Sequence, residues 1–311
     1  MTNPPSAAAR LSPVATAYII LTLTTLFWGG NVVAGKLAVG HIEPHALMIL
    51  RWSGALLAVL PFAAKPIRRD WALIVKDWPL LFYFGAIGFA TFNAMVYMAS
   101  HLTSGVNIAI EQVAVNIFVM LINFVAFKVR VRSLQIVGVV LTILGVAITA
   151  THGDLGRILS LEVNLGDLLV IGACFAYATY SIALRWKPPA HWMSIFVVST
   201  VAAIAASFFY QGVLGGGVMA FFKQLPTIST QGWLIVAYTI LLPSVISQIL
   251  YVRGVELIGS NRASLFVNLI PIFGTVGSVL VLGEQLETFH LFAAGLVVIG
   301  IVLAEFSARR A

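Results

Sequence analysis

Residues 101–118 read HLTSGVNIAIEQVAVNIF, and residues 256–273 read ELIGSNRASLFVNLIPIF. The two stretches match weakly at a constant offset of 155 residues, and the same offset pairs Gly145 with Gly300. A second, looser match relates FWGGNVVAGK near the start of the chain to FAYATYSIAL at residues 175–184. Such internal similarity predicts two related halves.

Composition indicates whether these halves fold in water or in a membrane. The chain has 311 residues, of which 60% are hydrophobic and only 9% are charged. Its mean hydropathy is +1.00. A soluble domain carries about 25% charged residues, so this chain lacks enough charge for a surface that faces water. We therefore expect an integral membrane protein.

Apolar runs long enough to cross a bilayer need about 20 residues. Ten such runs occur, at residues 17–39, 46–63, 80–99, 106–127, 134–151, 165–185, 194–214, 234–255, 264–282 and 289–306. Five spans in each half force the second half to enter the membrane from the opposite side. The predicted fold is an all-α integral membrane protein of ten transmembrane helices, arranged as two inverted five-helix repeats.

The distribution of Lys and Arg predicts the orientation. With the N-terminus inside, fourteen of the 18 basic residues fall in or beside the inner connections and tails, and three fall outside. Basic residues collect on the cytoplasmic side of membrane proteins. This predicts cytoplasmic tails at 1–16 and 307–311, repeats at 17–151 and 165–306, and an extracytoplasmic linker at 152–164.

The stretch LFWGGNVVAGKLAV, residues 26–39, partly matches the sequence motif of a phosphate-binding loop. Gly30, Gly35 and Lys36 give G-x-x-x-x-G-K, but Leu37 stands where that loop needs Ser or Thr for magnesium. An apolar run with no turn signal precedes the stretch. ATP binding is therefore excluded here, and we interpret the glycines as sites of close helix packing.

Several of these residues carry a family resemblance. The chain has ten predicted helices as five plus five, WGGN at residues 28–31, NLIPIF at 268–273 and LGEQL at 282–286. With these features it resembles the EamA type of the drug/metabolite transporter superfamily, and within that type the YddG-type amino-acid exporters of bacterial inner membranes. The resemblance covers nearly the whole chain, and LGEQL is its most specific part. It implies that the polar helices surround a transport pathway.

Polar side chains recur on one face of several predicted helices, which at bilayer depth indicates a pathway for water or substrate. Helices one, three, four, six, eight and nine carry such residues, whereas helices five and ten are almost wholly apolar. The candidate pathway residues are Trp28, Asn31, Tyr83, Asn93, Tyr97, Glu111, Gln112, Tyr177, Tyr180, Ser244, Gln248 and Asn268. A hydrogen bond between neighbouring helices is the alternative role for the Ser and Thr residues.

Three charges within predicted spans need an explanation, namely Lys36, Arg51 and Glu111. Glu111 and Lys36 fall at similar depths near the outer side, so an ion pair between them is one interpretation. The alternative is that Glu111 contacts a substrate ammonium or carries a coupling proton. Arg51 lies close to the outer end of helix two, and we expect it to reach outward to the membrane surface with no direct role.

These features favour a secondary transporter that exports small metabolites, above all neutral or aromatic amino acids, by alternating access without proton coupling. The alternatives are a proton-coupled drug or metabolite exporter of the same superfamily and, more remotely, an intramembrane enzyme. The expected partners are a small-molecule substrate and the lipid bilayer, with a monomer or weak homodimer as the assembly. We expect no cofactor, metal site or nucleic-acid partner, and a location in the bacterial inner membrane.

Overall fold

The computed structural model describes residues 12–128, 133–154, 164–258 and 263–308. Those residues form ten main helices, numbered in chain order as α1 Pro13–Ala38, α2 Pro44–Lys76, α3 Trp78–Ala99, α4 Gly105–Phe127, α5 Ser133–Ala150, α6 Leu165–Trp186, α7 Trp192–Val213, α8 Thr230–Ile258, α9 Ile270–Leu282 and α10 Thr288–Ala308. No strand occurs among them. The all-α prediction is confirmed for this part of the chain.

Seven of the described helices, α1 to α4 and α6 to α8, are long and apolar enough to cross a membrane. The other three contain shorter apolar stretches, Ser133–Thr149, Phe266–Leu282 and Thr288–Gly300. Following the predicted orientation, we call the ends joined by residues 39–43, 100–104 and 283–287 the outer ends. The opposite ends are called the inner ends.

Serine side chains at the ends of loops fix where several helices begin. Ser12 Oγ accepts a hydrogen bond from the backbone N–H of Ala15 at 3.1 Å, with Pro13 as the first helical residue. Ser104 Oγ does the same for α4, accepting from Asn107 N–H at 3.0 Å. These groups satisfy N–H donors that a helix leaves without internal partners.

Glycines bring the helices into close contact, as the sequence predicted. A Cβ atom added to Gly85 in α3 would lie 1.8 Å from the carbonyl oxygen of Ser199 in α7. A Cβ added to Gly29 in α1 would lie 2.8 Å from Phe273 Cβ in α9. Similar contacts join α5 to α10, where Gly300 meets the Gly138 carbonyl oxygen. The α5–α10 pair therefore packs backbone against backbone.

Two helices contain a segment of π-helix, Phe84–Thr91 in α3 and Ile240–Ile246 in α8. Pro243 lies in the second segment, where it supplies no N–H. Hydroxyl groups satisfy the carbonyl oxygens five residues earlier: Thr91 donates to Ala86 O, and Ser244 donates to Thr239 O, each at 2.8 Å. Such segments often occur at functional sites, and both of these lie next to the cluster described below.

The LGEQL stretch connects the two halves at the outer end. The Glu284 carboxylate accepts hydrogen bonds from the backbone N–H groups of Gly105 at 2.8 Å and Val106 at 2.9 Å. These are the first N–H groups of α4, where the helix dipole favours an anion. Glu284 therefore caps a first-half helix from a second-half loop.

Several helix boundaries differ from the predicted ones. Helix α1 begins at Pro13 rather than at residue 17, and α2 continues to Lys76, past the predicted end at residue 63. The extension of α2, residues 64–76, mixes basic and apolar residues, and it buries Asp70 and Ile74. The connection at residues 215–232 contains a short helix, Val218–Gln224. The predicted tail residues 1–11 and 309–311 and linker residues 155–163 lie outside the described residues.

Candidate functional site

Arg51 lies inside the bundle with 5% of its surface exposed. Its Nε donates a hydrogen bond to Ser244 Oγ of α8 at 2.7 Å. Its Nη1 donates to Asn31 Oδ1 of α1 at 3.1 Å, to Asn93 Oδ1 of α3 at 2.7 Å and to the Tyr97 hydroxyl at 2.5 Å. One guanidinium of α2 thus joins three other helices, and the two chain halves meet there.

The guanidinium has no anionic partner among the described residues. The ion pairs found there are Arg69 with Asp70 and Arg253 with Glu256, both away from Arg51. All four hydrogen-bond partners of Arg51 are neutral, and its Nη2 bonds to none of the described residues. A buried cation without an anion costs several kcal/mol. The arrangement therefore leaves a positive charge able to pair with an anion that enters the bundle.

Further hydrogen bonds fix the partners of Arg51 in orientation. The Tyr97 hydroxyl donates to Asn31 Oδ1 at 2.9 Å, and Asn93 Nδ2 donates to the Phe89 carbonyl oxygen at 2.7 Å. The Asn93 amide must therefore present its oxygen toward Arg51. A preorganised network of this kind holds the charged group in one geometry, so little reorganisation is needed when an anion binds.

A row of aromatic rings begins at Arg51. The guanidinium carbon lies 4.8 Å from the centre of the Trp52 ring. Trp52 stacks on Phe89 with ring centres 4.9 Å apart and an interplanar angle of 14°. Phe89 contacts Tyr180 at 5.9 Å, and Tyr180 contacts Tyr177 at 5.3 Å. The Arg51 cation thus lies at one end of a continuous row of contacting aromatic rings.

Trp28 connects α1 to the π segment of α8. Its Nε1 donates a hydrogen bond to the carbonyl oxygen of Pro243 at 3.0 Å, and its ring lies 5.4 Å from that of Tyr251. Tyr251 also lies near Tyr177 and Tyr180 of α6. Trp28 therefore belongs with the α6 and α8 tyrosines on the inner side of Asn31.

Four predicted pathway residues surround Arg51, namely Asn31, Asn93, Tyr97 and Ser244, and Tyr177 and Tyr180 lie on the aromatic row. Tyr83 does not join them. It packs in an apolar cluster with Ile74 and Leu81 at the inner end of α3, ten residues before Asn93 and so about 15 Å away along the helix. The same cluster also contains Tyr180, so the place of Tyr83 on the pathway stays a prediction.

Three predicted amide residues lie apart from the guanidinium. Gln112 sits at the break between the two segments of α4, and Gln248 lies one turn beyond Ser244 on α8. Asn268, before α9, accepts a hydrogen bond from Asn116 Nδ2 at 3.3 Å. None of the three bonds to Arg51 within the described part of the chain.

The prediction that Arg51 reaches outward to the membrane surface was wrong, because its side chain is buried inside the bundle. Helix two was also left out of the six predicted pathway helices, because Arg51 and Ser53 do not form a polar stripe in its predicted span. The sequence feature that could have indicated a buried Arg51 was the presence of neutral acceptors on other helices, above all Asn31 and Asn93. A single Arg that hydrogen-bonds to neutral groups on other helices produces no periodic pattern on its own helix. Its burial therefore could not be predicted from the sequence.

The predicted ion pair between Lys36 and Glu111 was also wrong. Lys36 Nζ donates instead to the carbonyl oxygens of Ser100 and Thr103, both at 3.0 Å. These carbonyls lie at and just beyond the C-terminal end of α3, where the helix dipole favours a cation. Glu111 is fully buried, and neither of its carboxylate oxygens has a hydrogen-bond partner among the described residues.

Comparison with known proteins gives a family and a fold. The sequence model of the EamA-like transporter family matches residues 15–151 and 164–306. A protein of Bacillus subtilis strain 168 named "Uncharacterized transporter YyaM" is 24% identical over 295 residues, 93% of each chain. A protein of Salmonella typhimurium strain LT2 named "Probable amino-acid metabolite efflux pump" is 23% identical over 291 residues, 92% of this chain and 94% of that one.

A crystal structure of an 18% identical chain resembles this fold with a TM-score of 0.62. The match covers 96% of this chain and 100% of the other. At this level of identity the likeness establishes the fold alone. The arrangement around Arg51 must therefore be interpreted from its own geometry.

Proposed function

Because the chain belongs to the EamA-like transporter family, we propose that it exports small neutral or aromatic amino acids. One observation carries the substrate class: the buried Arg51 guanidinium has neutral partners and lies at the end of an aromatic row. A carboxylate is the anion whose planar geometry fits a guanidinium. The amino-acid side chain would lie against Trp52 and the rings beyond it.

A single guanidinium favours a carboxylate over a phosphate. A phosphate dianion is bound by several cationic groups in most sites. Among the described residues the other cation near this depth, Lys36, is held by two backbone carbonyls. The name of the Salmonella relative is consistent with an amino-acid substrate.

The proposed mechanism is alternating access, in which the two halves rearrange around the Arg51 site. The hydrogen bond from Arg51 Nε to Ser244 joins the halves directly. A substrate carboxylate that takes over part of this coordination would weaken the contact between the halves. We propose that this exchange of partners permits the site to open to the other side.

Exchange of labelled amino acids tests this function. Purified protein in liposomes loaded with an unlabelled amino acid should take up the labelled compound by saturable counterflow, without any ion gradient. Neutral and aromatic amino acids should compete, whereas sugar phosphates and nucleotides should not. Protein-free liposomes are the control. Saturable exchange of a phosphorylated compound, with none of any amino acid, would contradict the proposal.

The proposed orientation places both termini in the cytoplasm of a bacterial inner membrane. Lys65 near the inner end and Glu287 near the outer end are both exposed, and the native Cys174 is buried. In intact cells, an impermeant maleimide should label Glu287→Cys and leave Lys65→Cys unlabelled. The reverse pattern would invert the topology.

A further inference from the structure

Helix α2 is longer than a membrane span requires. It has 33 residues, from Pro44 to Lys76, and so measures about 50 Å along its axis. The hydrocarbon core of a bilayer is about 30 Å thick, and the predicted apolar span of α2 ends at residue 63. The extension of α2, residues 64–76, therefore lies in or beyond the headgroup layer at the inner end of the bundle.

One face of this extension is fixed against α7. Asp70 Oδ2 accepts hydrogen bonds from the His191 backbone N–H at 2.7 Å and from the Ser194 hydroxyl at 2.8 Å. His191 immediately precedes α7, and Ser194 lies in its first turn. Ile74, one turn after Asp70, is also buried. These contacts determine how the extension is rotated about its own axis.

Four basic residues lie on the opposite face. Lys65 and Ile74 are nine residues apart, which corresponds to two and a half helical turns, so their side chains leave opposite sides of the helix. Arg68, Arg69 and Lys76 lie on the same side as Lys65, within about a third of the helix circumference. All four basic side chains are exposed. We call this surface the basic face of α2.

The basic face has little negative charge to balance it. The extension contains four basic residues and one acidic residue, Asp70. Arg69 Nε donates a hydrogen bond to Asp70 Oδ1 at 2.9 Å. Lys65, Arg68 and Lys76 form no ion pair with any of the residues that the structure describes. Their charges are therefore available to anions outside the protein.

Exposed tryptophan rings indicate the depth of the basic face in the membrane. Trp71 of the extension is 60% exposed, and Trp78, which follows the extension at the start of α3, is 59% exposed. The Trp78 ring packs edge-on against Phe82 with ring centres 6.5 Å apart. Tryptophan rings concentrate at the level of the lipid headgroups. The basic face therefore lies near the phosphate groups of the surrounding lipid.

We propose that the basic face of α2 is a binding site for anionic phospholipid headgroups. The four basic side chains contact the headgroup phosphates, and the two exposed tryptophans contact the upper part of the acyl chains. Basic clusters next to a membrane span bind anionic lipids by charge attraction. Because α2 also carries Arg51, bound lipid holds in place the helix that presents the buried guanidinium.

Native mass spectrometry tests the site by counting bound lipids. The protein in detergent would receive equal amounts of phosphatidylglycerol and phosphatidylcholine, and the wild type should retain more phosphatidylglycerol. Each basic residue near an anionic surface contributes about fivefold to binding. Lys65→Gln/Arg68→Gln/Lys76→Gln should therefore lower the preference for phosphatidylglycerol by at least about tenfold.

The matched control is Lys128→Gln/Lys187→Gln/Arg253→Gln. It also removes three exposed basic residues near the inner end, but they belong to α4, α6 and α8 and do not share a face. This control should keep the wild-type preference. Both triple variants should unfold close to the wild-type temperature without added lipid, because the changed side chains are exposed.

Tryptophan fluorescence in a bilayer gives a second measurement. In nanodiscs that mix the two phospholipids, bromine on the acyl chains of one lipid quenches the tryptophans that contact it. The quenching lost in Trp71→Phe/Trp78→Phe should come mainly from brominated phosphatidylglycerol. The Lys65→Gln/Arg68→Gln/Lys76→Gln variant should lose this enrichment.

Three results would overturn the proposal. One is an unchanged preference for phosphatidylglycerol after the three basic residues of α2 are replaced. Another is an equal loss in the control variant, which would show that total charge attracts the lipid. The third is displacement of phosphatidylglycerol by inorganic phosphate at equal concentration, which would assign the basic face to a free anion. Since bound lipid is measured, none of these results depends on the transported substrate.

Discussion

Arg51→Met is expected to lower amino-acid exchange by at least about 100-fold. The guanidinium is the buried cation that we assign to the substrate carboxylate, and hydrogen bonds to charged groups contribute about 1.5–3 kcal/mol each. Losing two of them corresponds to a hundredfold or more. Exchange rates in liposomes at matched protein content give the measurement.

The control for this variant is Arg253→Met, which removes an exposed guanidinium paired with Glu256. Exchange should change little, since surface ion pairs contribute at most about 1 kcal/mol. The exchange rate of Arg51→Lys should lie between those of Arg51→Met and Arg253→Met, because an ammonium keeps the charge but lacks the planar arrangement of donors.

Folding should survive the Arg51→Met change. The variant leaves Asn93 Oδ1 without its donor, which costs about 1–3 kcal/mol, but it also removes a desolvated cation, which offsets this cost. Thermal unfolding in detergent should therefore differ little from the wild type. Full exchange by a folded Arg51→Met protein would contradict the assigned role.

Gly85→Ala is expected to destabilise the bundle by about 3 kcal/mol or more, the upper range for overpacking a well-packed core. The new Cβ would lie 1.8 Å from the Ser199 carbonyl oxygen and 2.8 Å from Ala202 Cβ. Both neighbours belong to the backbone or first carbon of α7, so neither can rotate away. Helices α3 and α7 would have to separate.

Gly295→Ala is the matched control for that change. Gly295 also lies in a helix, α10, but an added Cβ there would meet no atom within 4 Å. Alanine favours the helix over glycine by up to about 1 kcal/mol, so this variant should be neutral or slightly more stable. Equal unfolding temperatures for the two variants would show that the α3–α7 contact can relax.

Composition and apolar length were sufficient to predict the class of fold. The low charge and the ten apolar runs follow from the requirement that helices cross a bilayer, whatever their packing. The described helices occupy the same runs. The close-packed glycines could also be inferred, because small residues in membrane helices pack against neighbours. The extension of α2 could not be predicted from apolar length, because the charged residues at 65–70 interrupt the apolar run although the helix continues.

Much of the site could be predicted as a set of polar residues but not as an arrangement. Asn31, Asn93, Tyr97 and Ser244 come from three helices, and no periodicity relates one helix to another. Their common partner is Arg51. From the sequence alone, its long side chain could extend either outward to the membrane surface or into the bundle. Burial, hydrogen bonds and the absence of an anion among described residues resolve that choice.

The predicted ion pair between Glu111 and Lys36 was wrong for a related reason. Glu111 and Lys36 lie at similar depths, which made an ion pair plausible from the sequence. Depth does not specify the direction around a helix axis, and Lys36 turns toward the end of α3 instead.

The central claim is that Arg51 recognises the substrate carboxylate, and a chemical double-mutant cycle tests it most directly. Binding of an amino acid and of its uncharged carboxamide would be measured by calorimetry for wild type and Arg51→Met. Wild type should prefer the carboxylate by about 100-fold, the contribution of a paired charged group. The variant should bind both compounds equally weakly. An undiminished preference for the carboxylate in Arg51→Met would contradict the account.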